Sequence, residues 1–159
     1  IGRDDEILRI IETTHTTALF VTDVIEHIHA REPARIEAML PTIADLIARS
    51  RKAGMPVVYA TREENMATWM PAVAPAAGDP LIASKAQDRF YSTDLDNVLK
   101  GKGITTLILT GWKVSGSLLY TSVGDLARLH RCHLARRDQR ADRLRDPDRH
   151  LCHPQSERG

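Results

Sequence analysis

Short apolar runs alternate along this chain with stretches of helical periodicity. Three runs, TTALFVTDVI, MPVVYATR and ITTLILTGW, are rich in β-branched residues, which is typical of strands covered on both faces. Between the first two, apolar residues from Ile36 to Ile47 recur every three or four positions behind Pro33, and the stretch ends at RKAG. This pattern predicts an α/β fold, a parallel sheet with strands near residues 17–23, 57–61 and 105–111 and helices on both faces.

The segments between these elements have weaker sequence patterns. Residues 4–12 have helical spacing, PLIASK reads as a short strand, and STDLDNVLKGKG reads as a helix capped by Ser92 or Thr93. Residues 63–79 show no clear period and predict an excursion over the surface. A further helix is expected after ITTLILTGW, in the segment that contains Ser117.

Composition narrows the class of protein without identifying it. A chain of 159 residues is about the size of one domain, and its formal net charge of +1 gives no reason to expect nucleic acid or a membrane as partner. Two cysteines make no disulfide framework, and no apolar run approaches the length of about 18 residues that a membrane span needs. With no signal peptide visible, we expect a cytoplasmic protein.

The last part of the chain differs in composition from the rest. From Arg128 onward it holds 9 of the 17 arginines and 4 of the 7 histidines, with no Val, Ile, Phe, Tyr or Trp. We therefore expect a domain over residues 1–127 and an Arg/His-rich tail over residues 128–159 that is disordered and adds no central strand. Metal binding is a weaker alternative, because the spacing of the cysteines and histidines in this tail fits no standard zinc motif.

Three polar residues follow predicted strands, where the functional groups of a doubly wound sheet collect. Asp23 lies at the end of the first strand and Lys85 at the end of PLIASK. Ser117 follows ITTLILTGW at the start of a predicted helix. Each also has an ordinary structural interpretation, as a turn residue, a solvated lysine or a helix cap. Together they form a candidate acid, base and nucleophile that three separate segments could bring to one pocket.

The order of these segments resembles the isochorismatase-like cysteine hydrolases. The resemblance runs from about Thr17 to Leu126 and rests on ALFVTDV, AGMPVVYATRE, GDPLIASKAQDRFYSTDLDNVL and GITTLILTGWKVSGSLLYTS. It implies a three-layer, Rossmann-like parallel sheet. It also implies a hydrolase with a catalytic triad of aspartate, lysine and cysteine. With this resemblance we expect a small-molecule substrate and a homo-oligomer.

Transferred to this sequence, the resemblance assigns the catalytic aspartate to Asp23 and the lysine to Lys85. Ser117 takes the position of the nucleophilic cysteine. A cis peptide bond is implied between Trp112 and Lys113, with an oxyanion hole formed by the backbone N–H groups of Lys113 and Ser117. The zinc ligands of the nicotinamidase branch have no counterpart here, so neither a metal nor another cofactor is expected.

Serine at the nucleophile position leaves three functions open. A serine hydroxyl is much less acidic than a thiol, but pairs of serine and lysine do act as catalysts in other enzymes. The first prediction is a hydrolase of a small amide, ureide or related C–N bond. The second is an isochorismatase-type vinyl-ether hydrolase that uses Asp23 as its acid, and the third is an inactive domain for binding or oligomerisation.

The tail departs from the resemblance in a specific way. The family continues with a strand that often begins Gly-Tyr and runs apolar, whereas this chain has RLHRCH. Those residues can be encoded by CGG CTA CAC CGT TGT CAT, and a shift of one base gives Gly-Tyr-Thr-Val-Val. We therefore hypothesise that the chain beyond about Ala127 is translated out of frame, which would leave the C-terminal edge of the sheet incomplete. Reading the gene in all frames tests this hypothesis.

Overall fold

A computed structural model of the chain describes residues 16–66, 68–125 and 131–134. The helix predicted over residues 4–12 and most of the tail predicted from residue 128 lie outside the described residues. Five strands carry the fold: β1 (Thr17–Thr22), β2 (Val57–Arg62), β3 (Leu81–Ser84), β4 (Thr106–Gly111) and β5 (Arg131–Leu134). The helices are α1 (Glu26–Arg31), α2 (Pro33–Lys52), α3 (Leu95–Gly101) and α4 (Leu119–Asp125), and a π-helical turn (Val114–Leu118) leads into α4.

The strands form one parallel sheet in the order β3-β2-β1-β4-β5. The chain runs outward from β1 to β2 and β3 and then crosses to the other side of β1 to form β4. The order therefore reverses between β1 and β4, and a crevice opens beyond the carboxyl ends of these two strands. All residues of both strands are buried, which explains why they appear in the sequence as continuous apolar runs.

Two apolar layers cover the sheet, one on each face. Alternate residues of β1, such as Leu19 and Val21, face α2, while Ala18 and Phe20 face α3 and the π-helical turn. The face of α2 that the sequence pattern predicts to be buried includes Ile36, Met39, Ile43, Leu46 and Ile47, and all five are buried. The predicted parallel sheet with helices on both faces is confirmed.

The structure differs from the expected disordered tail at one place. The backbone of Arg131–Leu134 pairs in parallel with β4, from Thr106 to Leu109, and forms the edge of the sheet. An edge strand bonds to one neighbour only, through main-chain groups that every residue other than proline provides, so an apolar composition is not required. Within the described residues this strand is at the edge and not in the centre, and it extends a sheet edge that we expected to be incomplete.

Burial of Tyr59 makes the stability of the fold depend on pH. This side chain lies in the core, with its ring edge-to-face against Trp69 at a centroid distance of 5.1 Å. Burial raises the pKa of Tyr59 to about 12, above its ordinary value of 10.0. The folded state therefore holds this proton more tightly than the unfolded state. The contribution of the Tyr59 proton to the free energy of unfolding is fully present below pH 10 and is lost as the pH rises to about 12. This loss lowers the free energy of unfolding by roughly 2–3 kcal/mol.

Denaturant titrations between pH 9 and pH 12 measure this loss. The Tyr59→Phe variant should lose less stability over that range than the wild type. Tyr91→Phe is the matched control, since Tyr91 is exposed, and it should follow the wild-type curve. Identical pH curves for Tyr59→Phe and the wild type would show that Tyr59 is not responsible.

Candidate active site

Asp23 lies directly beyond β1, at the point where the strand order reverses. Its backbone φ of +55° is in the left-handed region, where aspartate and asparagine are more common than most other residues. This conformation ends the strand and turns the carboxylate into the crevice instead of along the sheet. The side chain is buried among polar groups, and four side-chain donors reach its two oxygens.

Ser117 reaches the same point from the end of β4. The chain leaves β4 at Gly111, passes through a cis peptide bond between Trp112 and Lys113 where the resemblance implies one, and forms the π-helical turn. Ser117 Oγ donates a hydrogen bond to Asp23 Oδ2 at 2.6 Å. Ser117 therefore does not act as a helix cap, since its hydroxyl is directed at a carboxylate that is 94 residues away in sequence.

Arg89 supplies the positive charge beside this pair. Its Nη2 lies 2.5 Å from Asp23 Oδ2 and 3.1 Å from Ser117 Oγ, and its Nη1 donates to the carbonyl of Ala86 at 2.8 Å. The residue is only 1% exposed. Burying a guanidinium is expensive unless it is paired, and the carboxylate of Asp23 provides that pairing.

The position of Lys85 corrects the prediction that its ammonium meets Asp23. The side chain of Lys85 is 84% exposed, and its Nζ lies 3.9 Å from Glu63 Oε2. Exposed and buried residues alternate along β3, with Ile82 and Ser84 facing inward, so the next residue, Lys85, faces outward. The structure thus brings two of the three predicted residues together, Asp23 and Ser117, and places Arg89 beside them instead of Lys85.

Two threonines complete the surroundings of the carboxylate. Thr61 Oγ1 donates to Asp23 Oδ1 at 2.8 Å, and Thr22 Oγ1 donates to Asp23 Oδ2 at 2.9 Å. Both threonines lie near the carboxyl ends of their strands, and this position in the sequence could have identified them as residues of the site. Arg89 had no comparable signal, because it follows no strand and its partners are distant along the chain.

A cleft of about 330 Å³ opens over Asp23 and Ser117, a size suited to a small molecule. Its walls carry charges of both signs, and Arg62 is paired with Glu64 at 2.6 Å. A backbone hydrogen bond and then the Arg62 side chain hold the pKa of Glu64 below its usual range, so Glu64 stays anionic at neutral pH. The other lining residues include Ile25, His27, Ile28, Arg31, Glu32, Gln87, Trp112 and Lys113.

The part of the chain that the structure describes contains no group of three or more metal-ligating side chains. No helix in this part is long and apolar enough to cross a membrane. The cysteines and histidines that we considered as metal ligands lie in the tail, for which only the backbone of residues 131–134 is described.

Comparison with known proteins shows the family of this chain. Residues 17–137 match the sequence model of the isochorismatase domain, which is more than half of the chain. The chain belongs to the isochorismatase family. It is accordingly a member of a hydrolase family, and Asp23, Arg89 and Ser117 all lie within the matched region.

Solved structures of this family share the fold. The chain is similar to the N-carbamoylsarcosine amidase from Thermoplasma acidophilum, with 26% identity and a TM-score of 0.67 over 81% of this chain and 90% of that one. An isochorismatase family protein from Burkholderia thailandensis gives 17% identity and a TM-score of 0.71, over 86% and 88%. An isochorismatase from Pseudomonas putida KT2440 has 21% identity and a TM-score of 0.67, over 76% of this chain and 68% of that one. Among the curated proteins, no sequence matches significantly.

Proposed function

We propose that this protein hydrolyses a small amide, ureide or related C–N bond, with Ser117 as nucleophile and Asp23 as its base. The observation that carries the proposal is the 2.6 Å hydrogen bond from Ser117 Oγ to Asp23 Oδ2, two residues that line the cleft. A nucleophile and a base within hydrogen-bond reach are the minimum that acyl transfer needs. The similarity to an N-carbamoylsarcosine amidase supports the same class of bond.

The reaction has two steps, formation of an ester on Ser117 and hydrolysis of that ester. Ser117 Oγ attacks the carbonyl carbon of the substrate as its proton passes to Asp23, and the tetrahedral intermediate then collapses. The C–N bond breaks, the amine leaves with the proton from Asp23, and the acyl group stays on Ser117 as an ester. A water molecule attacks this ester and gives a proton to Asp23. The Oγ–C bond breaks, and the proton returns to Ser117.

The oxyanion of each tetrahedral intermediate needs donors placed before the reaction begins. We propose the backbone N–H groups of Lys113 and Ser117 for this role. Both residues line the cleft, and the segment between them turns tightly through the Gly116 N–H bond to the Lys113 carbonyl at 3.0 Å. This turn holds the two backbone groups close together, beside the nucleophile.

The hydrogen bonds to Asp23 favour C–N hydrolysis over hydrolysis of a vinyl ether. To protonate an ether substrate, Asp23 would have to carry a proton on an exposed oxygen. Its Oδ2 instead accepts from Thr22, Arg89 and Ser117, an arrangement that suits an ionised carboxylate. An ionised Asp23 is ready to act as a base.

A substrate panel tests this proposal. It should contain primary amides, N-carbamoyl amino acids and a vinyl ether, with ammonia or amine release as the measurement for the C–N substrates. Wild-type protein should release ammonia from at least one ureide or amide. Because Ser117 forms the new bond, Ser117→Ala should lower kcat by roughly 10³-fold or more.

Ser115→Ala is the matched control, since Ser115 is exposed two residues away and is not among the cleft-lining residues. This variant should keep its activity within about twofold of the wild type. Hydrolysis of the vinyl ether alone would replace the proposed reaction with the ether alternative. No activity on any substrate, with Ser117→Cys also inactive, would favour the inactive domain.

A further inference from the structure

We propose that Arg89 is a catalytic residue, whose guanidinium stabilises the negative charge that develops on Ser117 Oγ during nucleophilic attack. This inference rests on the proposed role of Ser117 and adds a residue to the reaction. Its basis is that one nitrogen, Nη2, lies within hydrogen-bond reach of both Ser117 Oγ and Asp23 Oδ2.

The surroundings of Arg89 hold this nitrogen in place. Nη1 is anchored on the Ala86 carbonyl, and the backbone N–H of Arg89 donates to Thr121 Oγ1 at 3.2 Å. The next residue, Phe90, is buried in the core on the α3 side of the sheet. A planar guanidinium held at one nitrogen has little freedom at the others, so Nη2 is preorganised toward the reacting atoms.

The chemistry of arginine defines what Arg89 can do. A guanidinium stays protonated at every pH that a folded protein experiences, so Arg89 neither accepts nor donates the transferred proton. As that proton moves from Ser117 Oγ to Asp23 Oδ2, negative charge leaves Oδ2 and develops on Oγ. Nη2 contacts both oxygens, so the charge that develops on Ser117 Oγ forms beside a cation that is already in place.

Burial strengthens this effect. Arg89 is almost completely enclosed, and its buried Nε has no hydrogen-bond partner among the described residues. Electrostatic interactions in such a water-poor environment are stronger than at the surface. Lys85 is the contrasting case, because its exposed ammonium lies beside Glu63, where water screens it.

A cysteine introduced by Ser117→Cys measures the charge at this position without any substrate. The probe is the rate of alkylation by iodoacetamide at pH 7, which is proportional to the thiolate fraction. Adding Arg89→Met should slow alkylation by roughly tenfold or more, because the neighbouring cation is lost. Adding Arg89→Lys should keep the rate within about threefold, since a cation remains.

Two lysine variants provide the comparison. Adding Lys85→Met to Ser117→Cys should leave the alkylation rate within about twofold, as should Lys100→Met, a surface lysine paired with Asp96. A large decrease with Lys85→Met and none with Arg89→Met would overturn the proposal and assign the role to Lys85. Equal rates for all of the variants would overturn it as well.

Arg89→Met leaves Asp23 without its cation and can impair folding, which circular dichroism would show. If Arg89→Met does not fold, the Asp23→Asn/Arg89→Met pair is added to Ser117→Cys in its place, since this pair leaves no unpaired charge buried. Its alkylation should be at least roughly tenfold slower than that of Ser117→Cys/Asp23→Asn, because these two proteins differ only in the cation. An equally fast rate in a folded protein would contradict the role of Arg89.

Activity provides the second readout, in the protein with its native serine. Arg89→Met should lower kcat by roughly 10²-fold or more with a smaller effect on KM, and Arg89→Lys should restore part of the loss. A kcat for folded Arg89→Met close to that of the wild type would refute the catalytic role. If no substrate is hydrolysed but alkylation depends on Arg89, the proposed hydrolysis fails while the assignment of the cation stands.

Discussion

Asp23→Asn should abolish hydrolysis, with kcat reduced by roughly 10³-fold or more. Asparagine retains a carbonyl oxygen that can accept the Ser117 hydrogen bond, but it cannot take up the proton that serine must lose. The substitution suits the backbone, because asparagine tolerates the left-handed conformation that this position adopts. Steady-state kinetics on the best substrate of the panel measure the effect.

The same substitution should also weaken the fold, since Arg89 would remain buried without a counter-ion. Breaking a buried pair from one side costs about 3–5 kcal/mol, whereas removing both charges costs much less. The Asp23→Asn/Arg89→Met pair should therefore recover stability in denaturant titrations and stay inactive. This separates the chemical role of Asp23 from its structural role.

Asp45→Asn is the matched control for both measurements, since Asp45 is largely exposed on α2 with Arg49 at 3.9 Å. It should change neither stability nor kcat appreciably. Full activity of Asp23→Asn would show that Ser117 loses its proton by another route.

Gly111→Ala should prevent stable folding. A Cβ at this position would lie 1.9 Å from the carbonyl oxygen of Thr22, at a backbone φ of +120°. Both the strain and the clash occur where β4 and β1 pair at the centre of the sheet, next to the bond from the Trp112 N–H to the Thr22 carbonyl. The two strands would have to separate, so we expect a loss above about 4 kcal/mol, a large part of the stability of a typical domain.

Gly103→Ala is the control for this prediction. Gly103 also has a positive φ, of +68°, but an added Cβ would meet nothing within 4 Å. This variant should lose only about 1–2 kcal/mol, from conformational strain alone. Soluble yield and denaturant midpoints measure the difference between the two variants. Equal stabilities would mean that the close approach at Gly111 can relax at little cost.

The positions of Asp23 and Ser117 could be predicted because they depend on the sheet. Central parallel strands are buried on both faces, so β1 and β4 appear in the sequence as unbroken apolar runs, and the polar residues that follow them are easily recognised. Parallel strands end at the same edge, which brings residues 94 positions apart into contact.

The identity of the buried cation was decided by tertiary structure. Lys85 and Arg89 are four residues apart in a segment without helical or strand periodicity, so the sequence does not indicate which side chain turns inward. The alternation of β3 directs Lys85 to solvent. Phe90 is buried in the core, and Arg89 reaches the carboxyl ends of β1 and β4, where the carboxylate of Asp23 offsets the cost of burying its charge.

The sequence by itself determined the layered α/β fold, the strands that form its centre, and an aspartate and a serine at the switch point. The spacing of apolar residues is a local property of the chain, so a single sequence shows directly which elements are buried. Only the tertiary structure decided which cation joins the site, that Thr61 bonds the carboxylate, and that residues 131–134 extend the sheet. Each of these depends on a partner in another segment, and such pairings leave no pattern in the local sequence.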